Sequence, residues 1–443
     1  LCTVDFCHIE RKTTAALVGG QMSLLERDTK FPDFTLRRHT HGVTSLCLIC
    51  VPLAVQKKLI TSSSSTPIIL KPYLLSGDQE GLLILWDIAT RRPIYSWQGH
   101  QGHVLVIKQM GIDQKSGSIN DKFFGLVYSH GRDNCVKFWR LFNSTGKFGC
   151  DHIYDLPENA LNFSNVDHWG HVMVTPNTME SGKFDIYDIG FLGESDINEN
   201  KLKRLYEAVN VYQRAIDEGY EFNEFKLQRD EDEMSRVDKF GIIMRLLLVR
   251  KDLLVIGYES GHVAILKLNY DDKSYEILSI TSEHFPNPVL SLFYDSHNYV
   301  VASTSIASHI AFHDLNTYKS VVMKLYKFGK ICTMGSINDK YILSSWNGTT
   351  NFYILSNNNL EYQASFTKPK GMISGDLNII GNLQDDQLKR QSVIKPNVIT
   401  ICDSHNVSPN IMKLIGRRDL KVIESKILTV GYDDGTIAVY MNF

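Results

Sequence analysis

Between Leu75 and Ile88 the chain reads "LSGDQEGLLILWDI". Apolar residues run into small ones, a polar turn follows, and a second apolar run ends in Trp86. This pattern predicts two strands joined by a tight hairpin, because Asp, Asn and Gly tolerate the positive φ that such turns demand. The same design returns as "HGRDNCVKFW" to Trp139, "NTMESGKFDIY" to Tyr187 and "GYESGHVAIL" to Leu266, then as "TSIASHIAF" to Phe312, "SWNGTTNFY" to Tyr353 and "GYDDGTIAVY" to Tyr440. Spacings of 53, 48, 79, 46, 41 and 87 residues separate these terminal positions. Four of them fit the period of a four-stranded propeller blade, and the two long ones imply insertions. An apolar strand precedes most units, as in "GVTSLCLI", "HVLVIKQM", "FGIIMRLLLV" and "PVLSLFY". No unit can bury both faces alone, so the expected solution is a closed ring of seven blades.

The order of elements predicts how that ring shuts. The last unit ends after its third strand, so Phe34 to Arg38 at the start of the regular pattern should supply the fourth and leave no open edge. The expectation is an all-β, seven-bladed propeller over residues 31–443. Residues 1–30 are set aside as a non-core extension, with Met22 as the suspected natural start. Insertions are expected at about 189–238, between blades 3 and 4, and at about 357–406, between blades 6 and 7. In the first, Leu202, Leu205, Tyr206, Val209 and Tyr212 recur at helical spacing, which predicts a helix over Lys201–Gly219, either packed on the flank or free to dock a partner. The charged run "QRDEDEMSR" follows it. The second insertion is rich in Asn, Asp, Gln and Lys, without periodicity, and reads as a loop.

At this level the residues resemble the WD-repeat family. Trp86-Asp87 reproduces the eponymous dipeptide, and Gly99-His100 resembles the Gly-His element. The resemblance implies a hydrogen-bonded structural tetrad of His, strand Ser/Thr, turn Asp and terminal Trp, which unit two matches with His100, Ser129, Asp133 and Trp139. Unit one offers His39, Ser76, Glu80 and Trp86, with Glu where Asp is usual; units three to seven depart further.

Bulk properties narrow the function classes. Forty-three per cent hydrophobic and 22% charged residues supply a large core, and 47 basic against 49 acidic side chains create no overall field for nucleic acid or an anionic membrane. No apolar run is long enough to span a bilayer as a helix. The eight cysteines follow no disulfide framework. Cys47 and Cys50 form a lone C-x-x-C within a strand, where residues three apart face opposite ways, so the pair is not expected to bind metal. The basic stretches "TRRP" at Thr90–Pro93 and "GRRDLK" at Gly416–Lys421 read as solvated loop tips. No nucleotide, zinc-protease, serine-hydrolase or kinase signature occurs, so no catalytic, cofactor-binding or metal residues are assigned, and a noncatalytic binding protein is expected.

A closer resemblance concerns ordered blocks outside the generic repeat positions. "DFTLRRHTHGVTSL", "LLSGDQEGLLILWDIATRRPI", "DLPENALNF", "KFGIIMR", "GYESGHV", "EHFPNPVLS", "SSWNGTT" and "GYDDGTIAVY" are similar, in that order, to the fungal ASTRA-associated WD-repeat family. That resemblance implies a nuclear, and in part cytoplasmic, scaffold of an ASTRA-like assembly. It implies a link to chromatin remodelling and, with the Triple-T co-chaperone and RuvB-like ATPases, to maturation of phosphatidylinositol-3-kinase-related kinases. Direct contact with nucleic acid or membrane is not expected. Two alternatives stand beside it. A WD-repeat substrate receptor of a ubiquitin ligase often carries Arg three positions after the dipeptide's Asp or nearby; here Ile88 and Ala89 follow Asp87, and Arg comes only at Arg91 and Arg92. An enzyme or small-ligand propeller would need a polar cluster at the channel.

Overall fold

The computed structural model describes residues 29–52, 69–110, 123–144, 147–159, 163–193, 202–227, 239–325, 328–337, 339–356, 359–366, 368 and 394–443. The suspected start at Met22, the run "QRDEDEMSR" and most of the second insertion lie outside them. Seven sheets form the ring, each built on four antiparallel strands in the order of the chain except where the ring closes, and blade 6 carries a fifth, parallel strand at its outer edge. The first strands of adjacent blades contact one another and line the central channel, for example Val43–Pro52 of blade 1 beside Val104–Gln109 of blade 2 and Pro396–Cys402 of blade 7.

Alternation within each strand builds the core between blades. Leu74, Ile84 and Trp86 pack toward blade 7 with Leu36, Ile437 and Val439, whereas Leu75, Leu83 and Leu85 pack toward blade 2 with Val104, Val127 and Trp139. Each blade therefore buries its two faces in two different clusters, and the apolar core is a set of radial seams. The hairpin glycines fix those seams. Gly81 has φ of +87°, and a Cβ there would lie 2.1 Å from the carbonyl oxygen of His100, in the loop that opens blade 2. Gly261 meets the His284 backbone in the same way, and Gly435 that of His39, so no other residue fits these turns.

Closure follows the expected strand. Phe34–Arg37 pairs antiparallel with Thr436–Met441, with Phe34 opposite Val439 and Leu36 opposite Ile437. Asp33 extends the lock, since its amide donates to the Val439 carbonyl at 2.9 Å and its carboxylate accepts from the Met441 amide at 2.8 Å.

The structure corrects four expectations. Thr29 and Lys30, set aside with the N-terminal extension, form a short parallel strand on Ser365 and Phe366 of blade 6. The predicted helix over Lys201–Gly219 is helical only over Val211–Asp217, because Lys203–Val209 is the fourth strand of blade 3. Propensity and spacing were overridden there by the unpaired edge of Phe184–Asp188, with Tyr206 opposite Ile186, and Asn210 then caps the helix by accepting from the Gln213 amide. The second insertion is shorter than 357–406: Asn359–Phe366 completes blade 6 and Pro396–Cys402 opens blade 7. Finally, "GRRDLK" is no loop tip. It starts the helix Arg417–Ile423, which with Pro409–Met412 forms an arm inside blade 7 whose Val407, Ile411, Ile415 and Ile423 pack on Ile69 of blade 1.

Candidate functional site

The sequence-derived tetrad of blade 2 is brought together. His100 sits in the loop before the blade, Ser129 on the second strand, Asp133 in the hairpin and Trp139 on the third strand. His100 Nδ1 lies 2.7 Å from Asp133 Oδ1 and its Nε2 2.7 Å from Ser129 Oγ, while Trp139 Nε1 donates to the same Oγ at 2.8 Å. Asp133 Oδ2 accepts from the Gln101 amide at 3.0 Å. Burial acts to raise the Asp133 carboxyl, but His100, Gln101 and Lys137 outweigh it and hold it at about 2.

Blade 1 has a complete tetrad with a different carboxylate. His39 Nδ1 lies 2.8 Å from Asp78, not Glu80; its Nε2 is 2.7 Å from Ser76 Oγ, which also accepts from Trp86 Nε1 at 2.8 Å. Asp78 sits two residues earlier in the hairpin than Asp133 does in its own, and it also accepts from the Glu80 and Leu82 amides. Glu80 is thus a turn residue that faces solvent, as its exposure shows.

Blade 5 carries a version missed in the sequence. Ladder register places Ser303 opposite Ala311 and His313 opposite Val301, as Ser129 lies opposite Lys137 and Trp139 opposite Val127. The terminal position is therefore His313, one residue after the expected Phe312, and a one-residue slip changes the face. Phe312 instead packs against Tyr341 of blade 6. Ser303 Oγ lies 2.7 Å from His284 Nε2 and 2.8 Å from His313 Nε2, and His309, stacked on His284, takes the place of the carboxylate. Burial lowers His284 to about 3, helped by His309 and His313, and burial alone lowers His313 to about 4. The remaining blades have Ile256, Leu343 and Val430 where the Ser would stand, and blade 3 has Thr175.

The channel holds a cavity of about 390 Å³ lined by Thr44, His103, Lys108, Asn165, Arg245 and apolar residues from the first strands. Its polar groups are engaged with the scaffold. Lys108 Nζ reaches Asp167 Oδ1 at 2.6 Å, and Arg245 donates to the carbonyls of Leu290, Met244 and Phe163. These contacts tie blade 2 to blade 3 and blade 4 to blades 3 and 5.

On the flank of blades 3 and 4, the Val211–Asp217 helix buries Val211 and Ala215, and a neighbouring helix, Asn223–Leu227, places Glu224 2.7 Å from His262. The exposed face pairs internally, Gln213 with Asp217 and Arg214 with Glu218. On the opposite side of the ring Lys71 is buried between Asp87 at 2.9 Å and Asp419 at 2.7 Å, while the two basic stretches converge, Arg91, Arg418 and Lys421 lining one cavity of about 330 Å³. Their convergence was invisible to a sequence reading because it depends on the arm crossing from blade 7 to blade 1. Among the described residues no helix is long and apolar enough to cross a membrane.

The sequence profile described as ASTRA-associated protein 1 matches residues 32–440, from the closing strand to the terminal aromatic of blade 7. The chain belongs to the ASTRA-associated protein 1 family. Among its relatives, ASTRA-associated protein 1 of Komagataella phaffii is 27% identical over 408 residues, covering 83% of this chain and 89% of that one. The Zygosaccharomyces rouxii protein is 26% identical, covering 93% and 98%. A ring with the same fold is the crystal structure of Saccharomyces cerevisiae Sqt1, at a TM-score of 0.54 and 10% identity, covering 94% of this chain and 98% of that one. The matched span covers the residues of this chain that form the clusters of blades 1, 2 and 5 and the arm of blade 7.

Proposed function

We propose that this chain is a noncatalytic scaffold subunit of an ASTRA-type assembly. The observation that carries the reading is the ASTRA-associated protein 1 match across the whole ring. The internal use of the polar clusters supports it: the His, Ser and Asp groups that could suggest acid–base chemistry hold hairpins to loops. In this reading the protein works in the nucleus, with a cytoplasmic pool, beside the Triple-T co-chaperone and RuvB-like ATPases. It serves chromatin remodelling and the maturation of phosphatidylinositol-3-kinase-related kinases.

Affinity purification of the tagged full chain with mass spectrometry tests this directly. The co-chaperone and the ATPases should be recovered, and depletion of the protein should lower the kinases while leaving their transcripts unchanged. Recovery of cullin-ligase subunits without the co-chaperone, or substrate turnover by the purified chain, would replace the reading with a ligase receptor or an enzyme.

A further inference from the structure

The seam between blades 7 and 1, where the ring shuts, gathers three metal-ligating side chains from distant parts of the chain. Alternation along Val43–Pro52 sends Cys47, Ile49 and Val51 into the cluster shared with blade 2, and Leu46 and Leu48 into the cluster shared with blade 7. Cys50 has the parity of Leu46 and Leu48, so it faces blade 7. There Cys402 ends the first strand of blade 7, and His405 follows within the same turn of chain. One ligand atom from each of Cys50, Cys402 and His405 lies within 4.8 Å of the other two. Strand alternation separates the two cysteines of the C-x-x-C, and Cys50 meets two potential ligands from the other end of the sequence.

A second observation points to an occupant. His405 Nε2 is buried and has no hydrogen-bond partner in the protein. Leaving a buried imidazole nitrogen unpaired costs about 1–3 kcal/mol, which a coordinate bond would offset. The backbones that carry the ligands are held in place. Gln109 of blade 2 clamps Cys50 from both sides, accepting from its amide at 2.8 Å and donating to its carbonyl at 3.0 Å. Cys402 is paired with Ile427 in the ladder, and the His405 amide donates to the Ile423 carbonyl at 2.8 Å. The cysteines are free thiols.

We propose that Cys50, Cys402 and His405 bind a zinc ion, with the fourth position taken by water or an external ligand. Two thiolates and an imidazole are the borderline-soft donor set that zinc prefers in tetrahedral geometry. Zn–S bonds of about 2.3 Å and Zn–N bonds of about 2.0–2.1 Å set ligand atoms roughly 3.5–3.8 Å apart, so the cluster needs only a small contraction. Binding converts two thiols to thiolates, with two protons released to solvent and no change of oxidation state. The ion stitches the closing blade to the first one beside the 403–426 arm, which Asp419–Lys71 and Ile69 already hold against blade 1.

The test is cobalt and zinc binding to the reduced full chain. One equivalent of Co²⁺ should give thiolate-to-metal charge-transfer absorption and the visible bands of a four-coordinate site, and Zn²⁺ should displace it. Zinc should also raise the melting temperature. Cys50→Ser, Cys402→Ser and His405→Ala should each weaken binding at least roughly 100-fold, more than the loss of a residue that only hydrogen-bonds a ligand would, whereas Cys135→Ser and Cys150→Ser should not. The wild-type cobalt spectrum decides the matter even where a variant fails to fold. Absence of thiolate–cobalt bands in the reduced wild type overturns the proposal, as does equal loss in Cys135→Ser. A Cys50–Cys402 disulfide on oxidation, in a chain that takes no metal when reduced, would make the cluster a redox pair and overturn it as well.

Discussion

Blades 1 and 2 and blade 5 solve one problem with different chemistry. In all three, a Ser on the second strand sits between a loop His and the end of the third strand, locking hairpin to loop. Blades 1 and 2 complete the set with a carboxylate and a Trp, so a donor and an anion face each other. Blade 5 completes it with His309 and His313, so both side-chain partners of Ser303, His284 and His313, are imidazoles that burial keeps neutral. The same fold element is therefore acid-tolerant in one part of the ring and acid-sensitive in another.

The pH windows separate the two regions. Asp133, lowered to about 2, contributes stability that is complete above its unfolded value near 4 and is lost as pH falls toward 2. His284 and His313 are also lowered, to about 3 and about 4, so their contribution is complete above about 6.5 and declines from there downward as the unfolded chain takes up protons first. Between about pH 6.5 and 4 blade 5 loses stability while the carboxylate tetrads keep theirs.

The largest expected effect is Trp139→Ala, which removes a ring buried against Trp97 and His152 and one of the two side-chain partners of Ser129; chemical denaturation should show a loss of about 3–5 kcal/mol. Next come Asp133→Ala and Asp78→Ala, each expected to cost about 1–3 kcal/mol, while Glu80→Ala stays within about 0.5 kcal/mol. An equal cost at Glu80 would break the blade 1 assignment. His313→Phe sharpens the acid contrast: between pH 7 and 5 wild-type stability should fall by about 1–2 kcal/mol more than that of the variant. Parallel curves would show that His313 titrates normally in the fold. His309→Ala is expected to cost less than about 1 kcal/mol because His284 keeps its contact with Ser303.

How much of this was legible depended on whether a signal was local. The hairpin of Glu80-Gly81 and the tetrad of His100, Ser129, Asp133 and Trp139 are written in short segments at fixed offsets, and ring closure by Phe34–Arg37 follows from counting strands. Asp78 was overlooked because the two hairpins place their carboxylates at different positions. His313 was overlooked because the blade 5 hairpin, Ser305 to His309, lacks the Gly and Asp that set the frame elsewhere. Lys203–Val209 reads as a helix because Leu205, Tyr206 and Val209 fit helical spacing and not strand alternation, and only the open blade edge, paired through two register shifts, decides for the strand. In the Cys50–Cys402–His405 cluster only Cys402 and His405 are neighbours in sequence, and the ring alone brings Cys50 to them.

In the proposed scaffold role the His–Ser–Asp–Trp clusters serve the fold and not an interface. Asp133→Ala, purified with its partners from cells, tests it most directly when recovery is normalised to folded protein and set beside the melting temperature. The expected result is a lowered melting temperature with partner recovery per folded chain unchanged. An unchanged melting temperature with partners lost would place Asp133 in an interface and contradict it.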